Sequence, residues 1–274
     1  MSDRVTLTLR APLARPLDAD AIAPDRLAAL DAAQISALEL WDGRTAVELG
    51  DVFTVVGGDR SPSLVLEGDL SQLHGVGTLM SGGTLEITGS VGNALGARMR
   101  GGTITVQGSA GDDVGNAMAG GSIAIAGNVG DRAGGALQGA SKGMSGGEII
   151  VRGSAAREAG ARMRRGILYS GSTGSGAGIG MIAGNIIVSG AIGDGVGAGN
   201  KRGSIVALGG VRVPPTYAYA CTYRPPHLSL MLLSLRKRFD LPIDDAHLHG
   251  LFKRYSGDLA EIGKGELLEW QTTQ

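Results

Sequence analysis

Few residues in this chain have types and spacings that could do chemistry. Its 4 histidines are His74, His227, His247 and His249, and its 1 cysteine is Cys221. The pair His247-x-His249 has a spacing that holds a metal when both side chains project from one face of a strand. No cysteine or carboxylate cluster accompanies it, so the pair reads as surface or interface histidines. A single thiol excludes an internal disulfide framework and a cysteine-based zinc cluster within the chain. The serines of GSTGSG (residues 171–176) lack the strand-to-helix turn that exposes a nucleophile, which leaves turn chemistry. GxGxxG-like strings such as GSAGDDVG lack the following helix that a dinucleotide needs. The reading is therefore of no catalytic residues and no metal site.

Two polar sets recur at fixed spacing. The first, Asn93, Asp112, Asp131, Arg157, Ser175 and Asp194, is mainly acidic. It lacks the close GGxGxD spacing of calcium-binding repeats, so its members read as turn residues bonding to local backbone N–H groups. The second is basic: Arg98, Arg100, Lys142, Arg162, Arg164, Arg165, Lys201 and Arg202. Like charges stacked a few ångströms apart repel, so one edge carrying all eight calls for a polyanion, a carboxylate-rich neighbour or solvent.

What puts these residues on common edges is a repeat. MSGGTLEITGSVGNALGAR, MRGGTITVQGSAGDDVGNA and MAGGSIAIAGNVGDRAGGA follow one another from residue 80. The leading methionines, Met80, Met99, Met118, Met144, Met163 and Met181, are 19, 19, 26, 19 and 18 residues apart, the longest step holding an insertion around LQGASKG. The units are too glycine-rich for helices and lack leucine-rich-repeat signatures, which predicts stacked β-coils. Alternating pairs (Leu85/Ile87, Ile104/Val106, Ile123/Ile125, Ile149/Val151, Ile186/Val188, Ile205/Ala207) predict strands with one face inward. Further inward columns run through Val91, Ala110, Val129, Ala155, Thr173 and Ile192, and through Leu95, Val114, Ala133, Ala159, Ala177 and Val196. The methionines form an internal corner ladder.

Composition agrees: 48 glycines and 4% aromatics among 274 residues suit tight turns around small interior side chains. The fold expected is all-β, a single-stranded right-handed parallel β-helix of about seven coils, on the order of 35 Å long at about 4.8 Å per layer. Open solenoid ends need caps. The division predicted is an N-terminal cap over 1–57, the solenoid over 58–211 and a C-terminal cap over 212–274. The first cap holds a strand at 5–10 and a mostly helical stretch at 24–40, and residues 63–79 form a degraded first coil. In the last cap HLSLMLLSLRKRF is a helix, with Met231, Leu232 and Leu235 against the last coil. A net charge of −1 gives no global pull toward nucleic acid or membrane. Without a signal pattern or a long apolar run, the reading is of a cytoplasmic protein.

At GNVGDRAGGALQGASKGMSGGEIIVRGSA (127–155) and GAIGDGVGAG (190–199) the chain resembles the GxGxG β-helix domain of glutamate synthase. It is still more similar to the C subunit of formylmethanofuran dehydrogenase and to that of the bacterial formyltransferase/hydrolase complex, through the closing segment RYSGDLAEIGKGELLEW (254–270). That resemblance implies a non-catalytic subunit in one-carbon metabolism. Its partners would be an amidohydrolase-like, a molybdenum-subunit-like and a formyltransferase subunit, working with a methanofuran-type carrier (methylofuran) and converting formyl-tetrahydromethanopterin to formate. Under it, the basic edge is either a solvated face or subunit interface, or a holder for the carrier's polyglutamate tail. The rival reading is a glutamate synthase-like accessory domain in an amidotransferase system.

Overall fold

A computed structural model of the chain describes residues 4–57 and 61–271. Residues 1, 58 and 274, which begin or end predicted segments, lie outside the described residues. The N-terminal part contains β1 (Val5–Leu9), β2 (Leu17–Asp18), α1 (Pro24–Leu27), α2 (Ala32–Ser36), β3 (Glu39–Trp41), β4 (Ala46–Glu48), α3 (Leu49–Val52) and β5 (Phe53–Val56). Then come β6 (Ser63–Glu67), β7 (Leu73–His74), β8 (Thr84–Ile87), β9 (Thr103–Val106), β10 (Ser122–Ile125), β11 (Ser145–Ala155), β12 (Arg165–Thr173), β13 (Asn185–Val188) and β14 (Ser204–Ala207). The C-terminal part adds β15 (Ala218–Tyr223), α4 (Pro226–Phe239), α5 (Asp245–His249), β16 (Leu251–Gly257) and β17 (Gly265–Gln271).

The protein is mostly β, built on one long and largely parallel sheet ordered β15-β16-β17-β14-β13-β12-β11-β10-β9-β8-β6-β1-β5. Each repeat contributes a strand that pairs in parallel with its counterpart in the next. The register runs Leu64, Leu85, Ile104, Ile123, Ile149, Leu168, Ile186, Ile205 and Leu267. A second column of parallel bridges joins Leu70, Val91, Ala110, Val129 and Ala155, and Thr173 to Ile192. Along the third column, Gly115 N–H donates to Leu95 O and Gly134 N–H to Val114 O. Repeat on repeat, the backbone groups of each turn are satisfied by the next, which a buried main chain requires. The predicted inward columns are buried except for the partly buried Ile192, and all six repeat methionines have 0% exposure.

Glycine fixes this spacing at defined places. At Gly115 φ is +61°, and a β-carbon would lie 2.5 Å from Ile149 Cδ1. At Gly121 φ is +88°, and a β-carbon would lie 2.7 Å from Met99 Cε. Both positions therefore combine a left-handed backbone with no room for a side chain. Aromatic rings sit at the ends of the small-residue interior. Phe53 is buried at one end, and at the other Tyr217 donates its hydroxyl to Gly197 O at 2.9 Å, burial pushing its pKa up to about 12.

Two predicted helices differ from expectation. The stretch 24–40, read as mostly helical, holds two short helices and a strand: the first turn ends at Ala28, and Asp31 starts the second helix by a capping box with Gln34. Residues 39–41 form β3 and join the small sheet β4-β3-β2-β7. The first helix is tied to the repeats by Asp25, whose carboxylate accepts from the Ser81 N–H (2.9 Å) and hydroxyl (2.6 Å). Burial opposes ionisation there, but these bonds outweigh it and lower the Asp25 pKa.

The C-terminal helix does not cover the last repeat end-on. Leu228, Leu232 and Leu235 of α4 share a cluster with Ile150, Tyr169, Ile187, Val206 and Leu268, so the helix lies across the outer face of several repeats. β17 instead continues the sheet beyond β14. The reason is visible in the strands: the middle residue is Glu86, Thr105 or Ala124 early, but Ile150, Tyr169, Ile187 or Val206 later. The strict inward alternation predicted for β11, β13 and β14 thus gives way to strands buried on both faces. Arg238 pairs with Glu148, and Arg152 donates to Phe239 O and Asp240 O, anchoring the helix end. Among the described residues no helix is long and apolar enough to cross a membrane.

Candidate functional site

Five of the predicted basic residues flank a buried methionine, Arg98 and Arg100 at Met99 and Arg162, Arg164 and Arg165 at Met163, whereas Lys142 lies in the insertion and Lys201 and Arg202 follow the buried Asn200 that takes the methionine's place. Arg100, Arg164 and Lys201 donate their N–H groups to Met80 O, Met144 O and Met181 O of the preceding repeat. Arg98 and Arg162 stand before Met99 and Met163 in the left-handed region, both with φ 56°. The eight side chains are exposed. Arg162 Nη1 donates to Ala140 O at 2.9 Å, which ties the insertion to the repeat below. Among the described residues the other seven make no side-chain hydrogen bond or ion pair.

They are not a continuous stripe. Ala119 and Ser145 occupy the corner between Arg100 and Arg164, and Ile182 occupies it between Arg164 and Lys201. At about 4.8 Å per repeat the groups are roughly 14 Å and 10 Å apart. Unit charges about 14 Å apart in water repel by about 0.3 kcal/mol. Repulsion is therefore small between groups, and crowding survives only within the cluster of Lys142, Arg162, Arg164 and Arg165. The sequence argument from stacked like charges applies there and not along the whole edge.

The insertion at 136–143 lies between two cavities on this side of the molecule. One, of about 580 Å³, is lined by Arg132, Leu137, Gln138, Glu158, Arg162 and Ile179 among others. The second, of about 520 Å³, shares Arg132, Leu137 and Gln138 and adds Asp113 and Asn116. Of the eight predicted cations only Arg162 lines either cavity. Arg132, which sequence reasoning did not single out, lines both and forms a bidentate pair with Asp113 at 2.8 and 2.7 Å. Its signal lay in its place: Ala94, Asp113, Arg132 and Glu158 fill one left-handed turn position in successive repeats.

The acidic column behaves differently from the local turn bonding expected of it. Asn93 Oδ1 accepts from the Asp112 N–H at 2.9 Å, Asp112 Oδ1 from Asp131 at 2.8 Å, and Asp131 Oδ1 from Arg157 at 2.9 Å. His74 starts this ladder, its Nδ1 accepting from the Asn93 N–H at 2.8 Å. Each side chain thus holds the next repeat. The Arg157 guanidinium and N–H lower the Asp131 pKa.

His247 and His249 lie in the one-turn helix α5, not in a strand, so their side chains do not share a face. His247 Nδ1 accepts from the Asp244 N–H at 3.0 Å and its ring meets Trp270 edge-on at 4.5 Å. Burial lowers its pKa against the opposing pull of Asp244. Among the described residues no three histidine, cysteine, aspartate or glutamate side chains are grouped to hold a metal.

Comparison with known proteins places these features in a lineage. No family model matches the chain. It is 40% identical over 90 residues to the C subunit of the formyltransferase/hydrolase complex Fhc of Methylorubrum extorquens, covering 33% of this chain and 34% of the relative. It is 35% identical over 80 residues to the C subunit of molybdenum-containing formylmethanofuran dehydrogenase 1 of Methanosarcina barkeri, covering 28% of this chain and 27% of the relative. These alignments span about a third or less of the curated relatives' length. Structural superposition extends the likeness. A chain in the crystal structure of the Methylorubrum extorquens formyltransferase/hydrolase complex FhcABCD with methylofuran matches with a TM-score of 0.91 and 40% identity. That match covers 97% of this chain and 100% of the other.

Proposed function

Since the chain belongs to the family of Fhc C subunits, related to the C subunits of formylmethanofuran dehydrogenase, we propose that it is a non-catalytic structural subunit of a formyltransferase/hydrolase complex. In that complex formyl-tetrahydromethanopterin would be converted to formate by way of a formyl-methanofuran-type carrier. The other subunits would be of amidohydrolase, molybdenum-subunit and formyltransferase type. The observation that carries this reading is the end-to-end superposition on a chain of a complex solved with methylofuran. It includes the closing segment and favours a complex subunit over a glutamate synthase-like accessory domain.

In this reading the repeats wind as a right-handed parallel β-helix of about seven coils over 58–211, with 1–57 and 212–274 closing its ends. The solenoid is a rigid support. The uses to which its polar side chains are put favour a non-catalytic role: His74, Asn93, Asp112 and Asp131 are committed to holding successive backbones. The exposed Arg98, Arg100, Lys142, Arg162, Arg164, Arg165, Lys201 and Arg202 help hold the carrier's polyglutamate tail, chiefly at the Arg162–Arg165 cluster. Among the described residues all but Arg162, which donates to Ala140 O, make no side-chain hydrogen bond or ion pair, and this leaves them available for carboxylates.

The test is purification of the tagged chain from its native host, with mass analysis of bound subunits and small molecules. Co-purification of the three other subunit types with a polyglutamylated carrier is expected; a chain recovered alone would overturn the proposal. Within an intact complex, Arg164→Glu with Arg165→Glu should lower carrier retention, and unchanged retention would remove the tail assignment alone.

A further inference from the structure

The two edges of the long sheet are β5 and β15, and β15 is unusual. Its sequence, Ala-Tyr-Ala-Cys-Thr-Tyr, contains no charge and no proline, and its first five residues are exposed. The strand pairs with β16 on one side, with a register shift between Tyr219 and Cys221. Among the described residues nothing pairs with the other side. A β-rich, uncharged strand left bare on an edge invites pairing; free-standing proteins usually blunt such edges with lysine, proline, bulges or a covering loop, and of these β15 has only the register shift between Tyr219 and Cys221. The apolar surface continues past the start of the strand. Leu259 N–H donates to Thr216 O, and Tyr219, Leu259 and Ile262 are 59%, 58% and 49% exposed.

The charges around this edge say what kind of strand fits it. Arg224, Lys253 and Lys264 have no side-chain partner among the described residues. The nearby carboxylates are mostly engaged: Glu266 with Arg254 and Ser204, Glu269 with Tyr255, and Asp258 with the Gly199 and Ala260 N–H groups. Glu261 is the exception. Antiparallel pairing of two copies would bring Arg224 of each toward the Lys264 end of the other, which charge disfavours.

We infer that the outer edge of β15 is a docking strand for an extended, carboxylate-bearing segment of a different polypeptide, added to the sheet by backbone hydrogen bonds. Backbone pairing supplies the affinity, and the flanking cations select an acidic segment over a second copy. This inference rests on the proposed role within a hetero-oligomer and names the surface used.

Cys221, the chain's 1 cysteine, lies in the middle of the strand and reports on it directly. Maleimide labelling of Cys221 and amide exchange across residues 218–223 are measured in the complex purified from the native host and in the isolated full chain. The isolated chain should label and exchange quickly, and the complex should slow both by about tenfold or more. Equal rates in an intact complex would overturn the docking edge while leaving the proposed function standing. Recovery of the chain without partners would instead strike the functional proposal. Protection in the isolated chain together with dimerisation would show the second copy as occupant and also contradict the inference.

Discussion

The repeats before the insertion and those after it share one interior and differ in their exteriors. In β8, β9 and β10 the outward middle residues are Glu86, Thr105 and Ala124. In β11 to β14 they are Ile150, Tyr169, Ile187 and Val206, each no more than 1% exposed. The inner register does not change across the insertion, since Ile123 still pairs with Ile149. Stacking therefore does not depend on the outer face, which is free to be solvated or to receive another element. Here that element is α4. The same principle makes a stack of this kind a suitable support, because one face can be recruited for docking without disturbing its neighbour.

Substitution can break that comparison. Ile150→Asp would bury an unpaired carboxylate beneath α4, whereas Thr105→Asp adds one to a half-exposed outer position. Urea unfolding should show a loss of about 3 kcal/mol or more for the first and less than about 1 kcal/mol for the second. Similar losses would mean that the two exteriors do not differ as described. Leu232→Ala, on the helix side of the same contact, should cost about 2–4 kcal/mol, and a loss under about 1 kcal/mol would place α4 elsewhere.

The acidic ladder sharpens the comparison from inside the turns. Asp131→Leu removes the acceptor of the Arg157 N–H and guanidinium, and should cost about 1–2 kcal/mol, while Asp131→Asn should cost less because it keeps an acceptor. Equal losses would show that bonding to the next repeat is unimportant.

The smallest effect concerns pH. The fold lowers the His247 pKa, so its contribution is complete above the ordinary value of 6.5 and is lost as pH falls through the folded value. Trp270 fluorescence should respond to that titration below pH 6.5, and His247→Gln should abolish the response. A response that persists in the variant would assign it to another group.

Much of this architecture was readable in the sequence because each inner column repeats the same requirement. An interior wall admits only apolar residues, so Leu85, Ile104 and Ile123 announce themselves at a constant step. The position of α4 was also written in the chain, in the change from Glu86 and Thr105 to Ile150 and Tyr169, but attention to alternating pairs passes over the residue between them. Other features were not legible. Whether Asp112 bonds within its own turn or to the next depends on which backbone N–H lies opposite, and spacing alone does not say. The basic residues stand farther apart than the repeat suggests, because Ala119, Ser145 and Ile182 take the corner position between them. Arg132 was hidden because its role comes from contact with Asp113 one repeat away.

The stacking itself can be tested by chemical cross-linking in a Cys221→Ser background. Thr105 and Ala124 are outward residues paired in register on adjacent strands, a separation of about 4.8 Å that a disulfide can bridge. Glu86 and Ala124 are two strands apart, near 10 Å by the same spacing (about twice 4.8 Å) and beyond a disulfide's reach. Mild oxidation should link Thr105→Cys to Ala124→Cys in the folded protein and leave Glu86→Cys with Ala124→Cys unlinked. Efficient linking of the second pair, or none of the first, would contradict the register on which the whole account stands.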